Sequence, residues 1–77
     1  MNVKILKPDT TLFEGEATLI QLPGTTGLFE IMNNHAPIIA TLASGKIRVV
    51  TANEEKLFEI KAGVVKGQKN EILILAQ

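Results

Sequence analysis

The sequence predicts an all-β domain, a small β-sandwich or flattened barrel of about eight to ten short, mostly antiparallel strands. Apolar and polar residues alternate over short runs, as in Phe29-Glu30-Ile31, which is typical of a strand with one buried face. Such runs recur at roughly 8–12-residue intervals with a turn signal between them. No stretch repeats its apolar residues with the period of a helix. The 77 residues predict a single domain, residues 1–77.

The first half of the chain predicts five strands separated by turns. Gly15 indicates a bend or bulge after the second strand. Two glycines in the segment 23–27 bracket a pair of threonines and predict a tight polar loop. Asn34 tolerates positive φ and Ala36 precedes Pro37, so the chain reverses again there. These predicted strands cover residues 3–6, 11–14, 16–22, 29–32 and 38–42.

The second half predicts four more strands, with polar turns at 52–55 and 67–70. They cover residues 46–51, 57–60, 63–66 and 71–76. One set of alternate positions is apolar and is expected to fill the interior: Ile47, Val49, Phe58, Ile60, Ile72 and Ile74. Further apolar residues fall on the opposite set of positions and predict an exposed patch of the kind that marks a protein interface: Leu19, Val50, Leu57, Val65, Leu73 and Leu75.

Composition excludes several classes of function. Eight acidic and eight basic residues give a net charge of zero, whereas a nucleic-acid binder normally presents a basic stripe. There is no cysteine, so neither disulfides nor thiolate metal sites are expected. No apolar run approaches the ~20 residues that span a bilayer, so direct bilayer insertion is not expected.

The residues that usually perform catalysis are almost absent. His35, Ser44 and Asp9 are each the only one of their kind, and a catalytic triad would need all three to converge. A metal site would have only His35 and scattered glutamates, so no metal or cofactor is expected. Ser44-Gly45-Lys46 lacks the second glycine and the hydroxyl residue of a phosphate-binding loop. His35 is expected to hold a turn or face a partner.

A free-standing small β-barrel, acting as a carrier or a nucleic-acid-binding module, is the alternative class. A carrier domain presents a modified lysine at a hairpin tip between acidic or methionine neighbours, whereas Lys46 follows Ser44-Gly45. A single-strand binder needs exposed stacking aromatics. The chain has only three phenylalanines and no tyrosine or tryptophan, and all three phenylalanines occupy positions expected in the core.

An ordered set of motifs resembles a known family along essentially the whole chain. Its central part is Pro23-Gly24-x-x-Gly27, then His35-Ala36-Pro37, then Leu42-x-x-Gly45-x-Ile47-x-Val49. Phe13-x-Gly15-Glu16 upstream, and Phe58-x-Ile60-x-x-Gly63-Val64 and Ile72-Leu73-Ile74-Leu75 downstream, extend it. This set is similar to the amino-terminal β-domain of the epsilon subunit of F-type ATP synthases, called delta in mitochondria.

The resemblance implies a non-catalytic rotor subunit of the central stalk. In that family the β-sandwich links the gamma subunit to the ring of c subunits and couples proton transport to ATP synthesis or hydrolysis. The exposed apolar patch is then expected to face gamma. The implied location is peripheral, at the cytoplasmic face of a bacterial inner membrane or its organellar equivalent.

The resemblance also implies which loops face the c-ring. They are two loops expected to lie side by side, comprising Thr25, Thr26, Gly27 and Leu28, and Asn34, His35, Ala36 and Pro37. Many relatives have acidic residues where this chain has Thr26 and Leu28, so a hydroxyl and apolar contact is expected instead. The family's carboxy-terminal helical hairpin has no counterpart within these residues, so we expect no nucleotide binding through it.

Overall fold

The computed structural model describes residues 1–77 and contains nine strands and no helix. All nine predicted strands are present, although several boundaries differ. The strands are β1 (Asn2–Lys7), β2 (Thr10–Glu16), β3 (Leu19–Gly24), β4 (Gly27–Met32), β5 (Ile38–Leu42), β6 (Gly45–Val50), β7 (Glu55–Ile60), β8 (Gly63–Gln68) and β9 (Glu71–Ala76). The prediction of an all-β fold is confirmed.

The strands form two layers that meet at one corner. One layer is the five-stranded sheet β2-β1-β9-β8-β5, and the other is the four-stranded sheet β4-β3-β6-β7. The layers join where β3 ends, through the single pair Gly24–Leu42. Every pairing is antiparallel except the parallel pair β1–β9. The result is the predicted sandwich or flattened barrel.

The core lies between the two sheets, and its most deeply buried side chains are all aliphatic. Isoleucine, leucine and valine side chains from β1, β3, β6, β8 and β9 are fully buried, and no polar or charged side chain is. Five of the six predicted interior residues are buried, and Phe58 is half-buried against the core cluster. Phe13 and Phe29 pack there too, so the interior is closed by aromatic rings at its rim.

Two local predictions were wrong. The bulge in β2 is at Leu12, because Ile5 pairs with Phe13 while Leu6 pairs with Thr11. Gly15 pairs regularly with Val3. The third strand begins at Leu19 and not at residue 16, because Glu16 still belongs to β2. The intervening residues cross from one sheet to the other, and the buried Ala17 fills the crossing.

Two hairpin turns depend on residues chosen for an unusual backbone conformation or for a close approach. In the β8–β9 turn, Lys69 and Asn70 have φ of 52° and 59°, the left-handed pair that matches the twist of a two-residue hairpin. In the β3–β4 hairpin, a Cβ on Gly24 would lie 2.7 Å from the Gly27 carbonyl oxygen and 2.8 Å from the Phe29 ring. Glycine at 24 therefore lets Phe29 cover the end of the core.

Candidate functional site

The structure presents surfaces instead of an enclosed reaction site. No cluster of three or more His, Cys, Asp or Glu side chains is placed to hold a metal ion. The hollows on the molecule are shallow and open to solvent. None of the chain forms a helix long and apolar enough to cross a membrane. The outer faces of the two sheets and the two ends of the sandwich are therefore the candidate sites.

The outer face of the five-stranded sheet, which we call the apolar face, bears several apolar side chains interrupted by Lys4 and Lys66. Leu6, Leu75 and Val64 stand side by side across β1, β9 and β8. Leu73 and Ile39 lie in the adjacent row, separated by Lys66. Ile39 is 79% exposed, Leu75 48% and Val64 43%. Cross-strand neighbours of this kind are in contact range, so the half-buried Leu6 and the exposed Leu75 and Val64 form one apolar row, with Leu73 and Ile39 beside it.

The outer face of the four-stranded sheet, the charged face, is different. The Arg48 guanidinium lies 2.7 Å from the Glu55 carboxylate and 3.6 Å from that of Glu30. The Gln21 amide donates to Glu30 at 3.3 Å. These groups form a polar row across β4, β3, β6 and β7. Leu57 lies opposite Arg48 at one end of that row. Met32, Leu19 and Val50 form an apolar row beside it, as direct neighbours across β4, β3 and β6.

The structure divides the apolar patch that the sequence predicted. Leu73 and Leu75 lie on the apolar face, whereas Leu19, Val50 and Leu57 lie on the charged face of the other sheet. Val65 is fully buried opposite Ile74, so its assignment to an exposed patch was wrong. Two exposed members of the apolar face, Ile39 and Val64, were not predicted, nor was the half-buried Leu6.

The turn between β3 and β4 lies at one end of the sandwich, which we call the turn end. Thr25, Thr26, Gly27 and Leu28 are all exposed, and Leu28 is 69% exposed. The Thr25 and Thr41 hydroxyls are 2.9 Å apart, and the Thr25 amide donates to the Thr41 carbonyl at 3.1 Å. The turn is thereby fixed to β5, with its uncharged side chains facing outward.

The loop 33–37 lies at the opposite end, the loop end, and is packed against the β8–β9 hairpin. The Asn34 amide donates to the Asn70 side chain at 2.8 Å. His35 Nδ1 donates to the Ala36 carbonyl at 2.9 Å, while its Nε2 is buried without a partner. A Cβ on Gly67 would lie 3.0 Å from the His35 ring. His35 therefore acts in this fold as a packed turn residue, with Ala36 and Pro37 exposed beside it.

The two predicted loops do not lie side by side. Strand β4 runs from Gly27 to Met32 between them, and six extended residues cover roughly 20 Å. The principal extents of the molecule are only 26 × 23 × 19 Å. The two loops therefore lie at opposite ends of the domain, because the strand that joins them crosses its full length.

Comparisons with solved structures support this fold. The chain matches a chain of the Euglena gracilis mitochondrial ATP synthase, in a structure described as OSCP/F1/c-ring, with a TM-score of 0.89 and 16% identity. The match covers 96% of this chain and 48% of that chain. A chain from the central stalk/c-ring of the Tetrahymena thermophila mitochondrial ATP synthase matches with a TM-score of 0.84 and 16% identity. It covers 99% of this chain and 62% of that one. At this identity the likeness shows the fold alone.

Sequence comparisons show the family. The chain is 38% identical over 74 residues to an ATP synthase epsilon chain of Chlorobium limicola, covering 84% of that protein. It is 34% identical over 77 residues to one from Caulobacter vibrioides, covering 90%. It spans only 59% of a Leptospira borgpetersenii epsilon chain, at 32% identity. The family model of the ATP synthase delta/epsilon chain, beta-sandwich domain, matches residues 1–77. This chain therefore belongs to that ATP synthase delta/epsilon family.

Proposed function

We propose that residues 1–77 act as the epsilon-type rotor domain of a proton-translocating F-type ATP synthase. In this role the domain performs no chemistry and links the gamma subunit to the c-ring, so that rotation couples proton transport to ATP synthesis or hydrolysis. The observation that carries the proposal is the family match over the whole chain, together with the exposed apolar side chains on one outer sheet face. The domain would be peripheral, at the cytoplasmic face of a bacterial inner membrane or the organellar equivalent.

The apolar face is the part of the surface best suited to gamma. Its exposed leucine, isoleucine and valine side chains form one patch, and contiguous exposed apolar surface marks protein interfaces. A flat face of 26 × 23 Å measures about 600 Å², against roughly 800 Å² per partner in a standard interface. Gamma would therefore cover essentially this entire face, including Leu73 and Leu75.

The charged face is less suited to that contact. Docking there would desolvate the Arg48 pairs with Glu30 and Glu55, whose side chains are 30–51% exposed. Removing ionised groups from water is costly unless their partners fully compensate. Leu19, Val50 and Leu57 of the predicted gamma-facing patch are therefore left out of the proposed gamma contact.

The turn end is the proposed contact with the c-ring. Only one end of the sandwich can face the ring, because the loops lie a full strand apart. Thr25, Thr26, Gly27 and Leu28 are free to meet it, offering hydroxyls and one leucine. The loop formed by Asn34, His35, Ala36 and Pro37 is packed against Gly67 and Asn70, and would instead support the domain from the far end.

A coupling assay tests the ring contact. The chain is expressed in a bacterium whose own epsilon gene is deleted, and membrane vesicles are assayed for ATP hydrolysis and for ATP-driven proton pumping. In Leu28→Asp we expect the pumping-to-hydrolysis ratio to fall about tenfold, the effect of losing about 1.4 kcal/mol of contact free energy. The matched control is Asn53→Asp, an exposed position at the loop end. Equal ratios in both variants would contradict the assignment.

Two measurements separate this proposal from the carrier or nucleic-acid alternative. Intact mass of the chain purified from its cell shows whether Lys46 bears a cofactor. Calorimetric titration with ATP and with single-stranded RNA tests for small-ligand and nucleic-acid binding. The rotor proposal predicts an unmodified mass and no micromolar affinity in either titration. A modified Lys46, or micromolar binding of either ligand, would contradict it.

A further inference from the structure

The sandwich has exposed strand edges at β2, β7 and β4 and along the first part of β5, which pairs with β3 only at Gly24–Leu42. The free part of β5 is short, because Thr41 is already bonded to the Thr25 amide, so of the full-length edges only β4 lacks the usual protection. Natural proteins protect edge strands with bulges, charges or a covering segment. Strand β2 has a bulge at Leu12, and β7 has charges at Glu55, Lys56 and Glu59. These two edges also approach each other: the Phe13 and Phe58 ring centroids are 6.0 Å apart, and Lys56 Nζ lies 5.7 Å from the Phe13 ring.

Strand β4, with the sequence GLFEIM, has neither a bulge nor a lysine nor a proline. It pairs with β3 on one side in unbroken register and with no strand on the other. Its single charge, Glu30, is already engaged by Gln21 and Arg48 on the charged face. Leu28 and Met32 flank it and are 69% and 57% exposed.

The hydrogen-bond register fixes which backbone groups of β4 are free. Pro23 opposes Leu28, has no N–H, and its carbonyl accepts from the Ala43 amide at 2.7 Å. The Pro23–Leu28 pair is therefore a non-hydrogen-bonded pair. Such pairs alternate along an antiparallel ladder, so Glu30 and Met32 are also in non-hydrogen-bonded pairs. Leu28, Glu30 and Met32 thus each direct one N–H and one C=O outward from the sheet.

We propose that the β4 edge is a docking site for an extended segment of a partner protein, which adds a fifth strand to the four-stranded sheet. Addition of a strand to a free edge is a general mode of peptide recognition. Main-chain hydrogen bonds provide the affinity, and alternate side chains of the peptide provide the specificity. A shallow hollow between β4 and the loop 33–38 borders this edge. The site is separate from the apolar face proposed for gamma, and it shares Leu28 with the turn-end contact proposed for the c-ring.

The side chains of β4 define the chemistry of that segment. Apolar residues of the partner are expected opposite Leu28 and Met32, because cross-strand apolar pairs stabilise a sheet. Glu30 and Glu55 together have two negative charges against the one positive charge of Arg48, so a lysine or arginine fits opposite Glu30. The recognised pattern is therefore apolar, any residue, basic, any residue, apolar, in an extended conformation.

A second copy of this chain does not fit that pattern. Two β4 strands can pair antiparallel with Leu28 opposite Met32 and their faces aligned. In that register Glu30 stands directly opposite the Glu30 of the other copy. Like charges opposite each other destabilise a strand pair. The partner is therefore a different protein, and the edge charge acts against self-association.

A defined peptide tests the inference on the whole chain. The probe is acetyl-Thr-Ile-Thr-Lys-Thr-Ile-Thr-amide, which presents Ile, Lys and Ile on one face in either strand direction. Binding is followed by ¹⁵N–¹H NMR titration and by amide hydrogen exchange. We expect saturable binding, with exchange at the Leu28, Glu30 and Met32 amides slowed about tenfold, since each of these donors gains a hydrogen bond. Absence of binding, or protection located elsewhere, would overturn the proposal.

Matched variants separate backbone pairing from charge. Glu30→Pro removes one outward N–H and is tolerated on an edge strand, so its dissociation constant should rise about tenfold. Glu30→Gln keeps the N–H and should weaken binding only about threefold. The peptide N-methylated at its isoleucines and lysine is the second test, independent of protein folding, and should not bind. Undiminished binding by the Glu30→Pro variant, or any binding of the N-methylated peptide, would contradict the site. Dimerisation of the chain through β4 would contradict it as well.

Discussion

The two outer sheet faces of this domain both expose aliphatic side chains, but they differ in the residues that lie beside them. On the apolar face, Leu6, Leu75 and Val64 are direct neighbours across three strands. On the charged face, a row of ion pairs centred on Arg48 crosses all four strands. Met32, Leu19 and Val50 are likewise direct neighbours on the charged face. The two faces therefore differ in the adjacent row, which contains Leu73 and Ile39 on the apolar face and Glu30, Gln21 and Arg48 on the charged face.

The largest expected effect comes from the core that supports both faces. Ile74 is fully buried, opposite Val65, and belongs to the strand that bears Leu73 and Leu75. Ile74→Ala should lower the free energy of unfolding by about 2–5 kcal/mol, a large share of what so small a domain has. Urea unfolding measures it. A loss under about 1 kcal/mol would mean that the two sheets do not share one tightly packed core.

A pair of matched charge substitutions tests the comparison of the two faces. Leu75 on the apolar face and Leu57 on the charged face are 48% and 56% exposed. Leu75→Asp should weaken binding to purified gamma about tenfold or more, because an unpaired carboxylate would be buried on docking. Leu57→Asp should change it less than about threefold. Surface plasmon resonance measures both. Reversal of the two effects would assign gamma to the charged face.

A smaller effect is expected in the hairpin that bears the apolar face. Lys69 has φ of 52° in the β8–β9 turn, a conformation that asparagine adopts more readily than lysine. Lys69→Asn should therefore stabilise the domain by about 0.5–1 kcal/mol. Thermal unfolding measures the change. Asn53→Asp, an exposed turn position with no positive φ, serves as the control and should change little. Destabilisation by Lys69→Asn would contradict the turn assignment.

The smallest effect is expected on the charged face. Arg48 and Glu55 are partly exposed and 2.7 Å apart. A double-mutant cycle with Arg48→Met and Glu55→Gln should give a coupling free energy of about 0.2–1 kcal/mol. The coupling should shrink in 1 M salt, where the Debye length is only about 3 Å. A coupling that is larger and independent of salt would show that these ions are effectively buried, which would weaken the distinction between the faces.

Period-2 alternation and turn residues were sufficient to predict the nine strands and most of the core. They could not decide between Val64 and Val65, because either valine of the pair satisfies the pattern. The β8–β9 register decides it by placing Val65 against the buried Ile74. In the same way, the alternation over residues 16–22 does not show where the chain leaves one sheet and enters the other.

Contacts between distant segments could not be predicted from the sequence either. The resemblance associated two loops with one partner, but only the three-dimensional path of β4 places them at opposite ends. The apolar face depends on the parallel pairing of β1 with β9, which brings Leu6 beside Leu75. No local pattern encodes that pairing. Surfaces assembled from several strands therefore require the topology, whereas the strands themselves do not.

Accessibility of single cysteines tests the central claim most directly, that the apolar face is the surface covered by gamma. The chain has no cysteine, so Leu75→Cys and Leu57→Cys each introduce one unique thiol. Maleimide labelling rates are compared between the free domain and the assembled ATP synthase. The account predicts that assembly slows labelling of the Leu75→Cys variant at least about tenfold and leaves the Leu57→Cys variant unchanged. Protection of the Leu57→Cys variant with free labelling of the Leu75→Cys variant would contradict it.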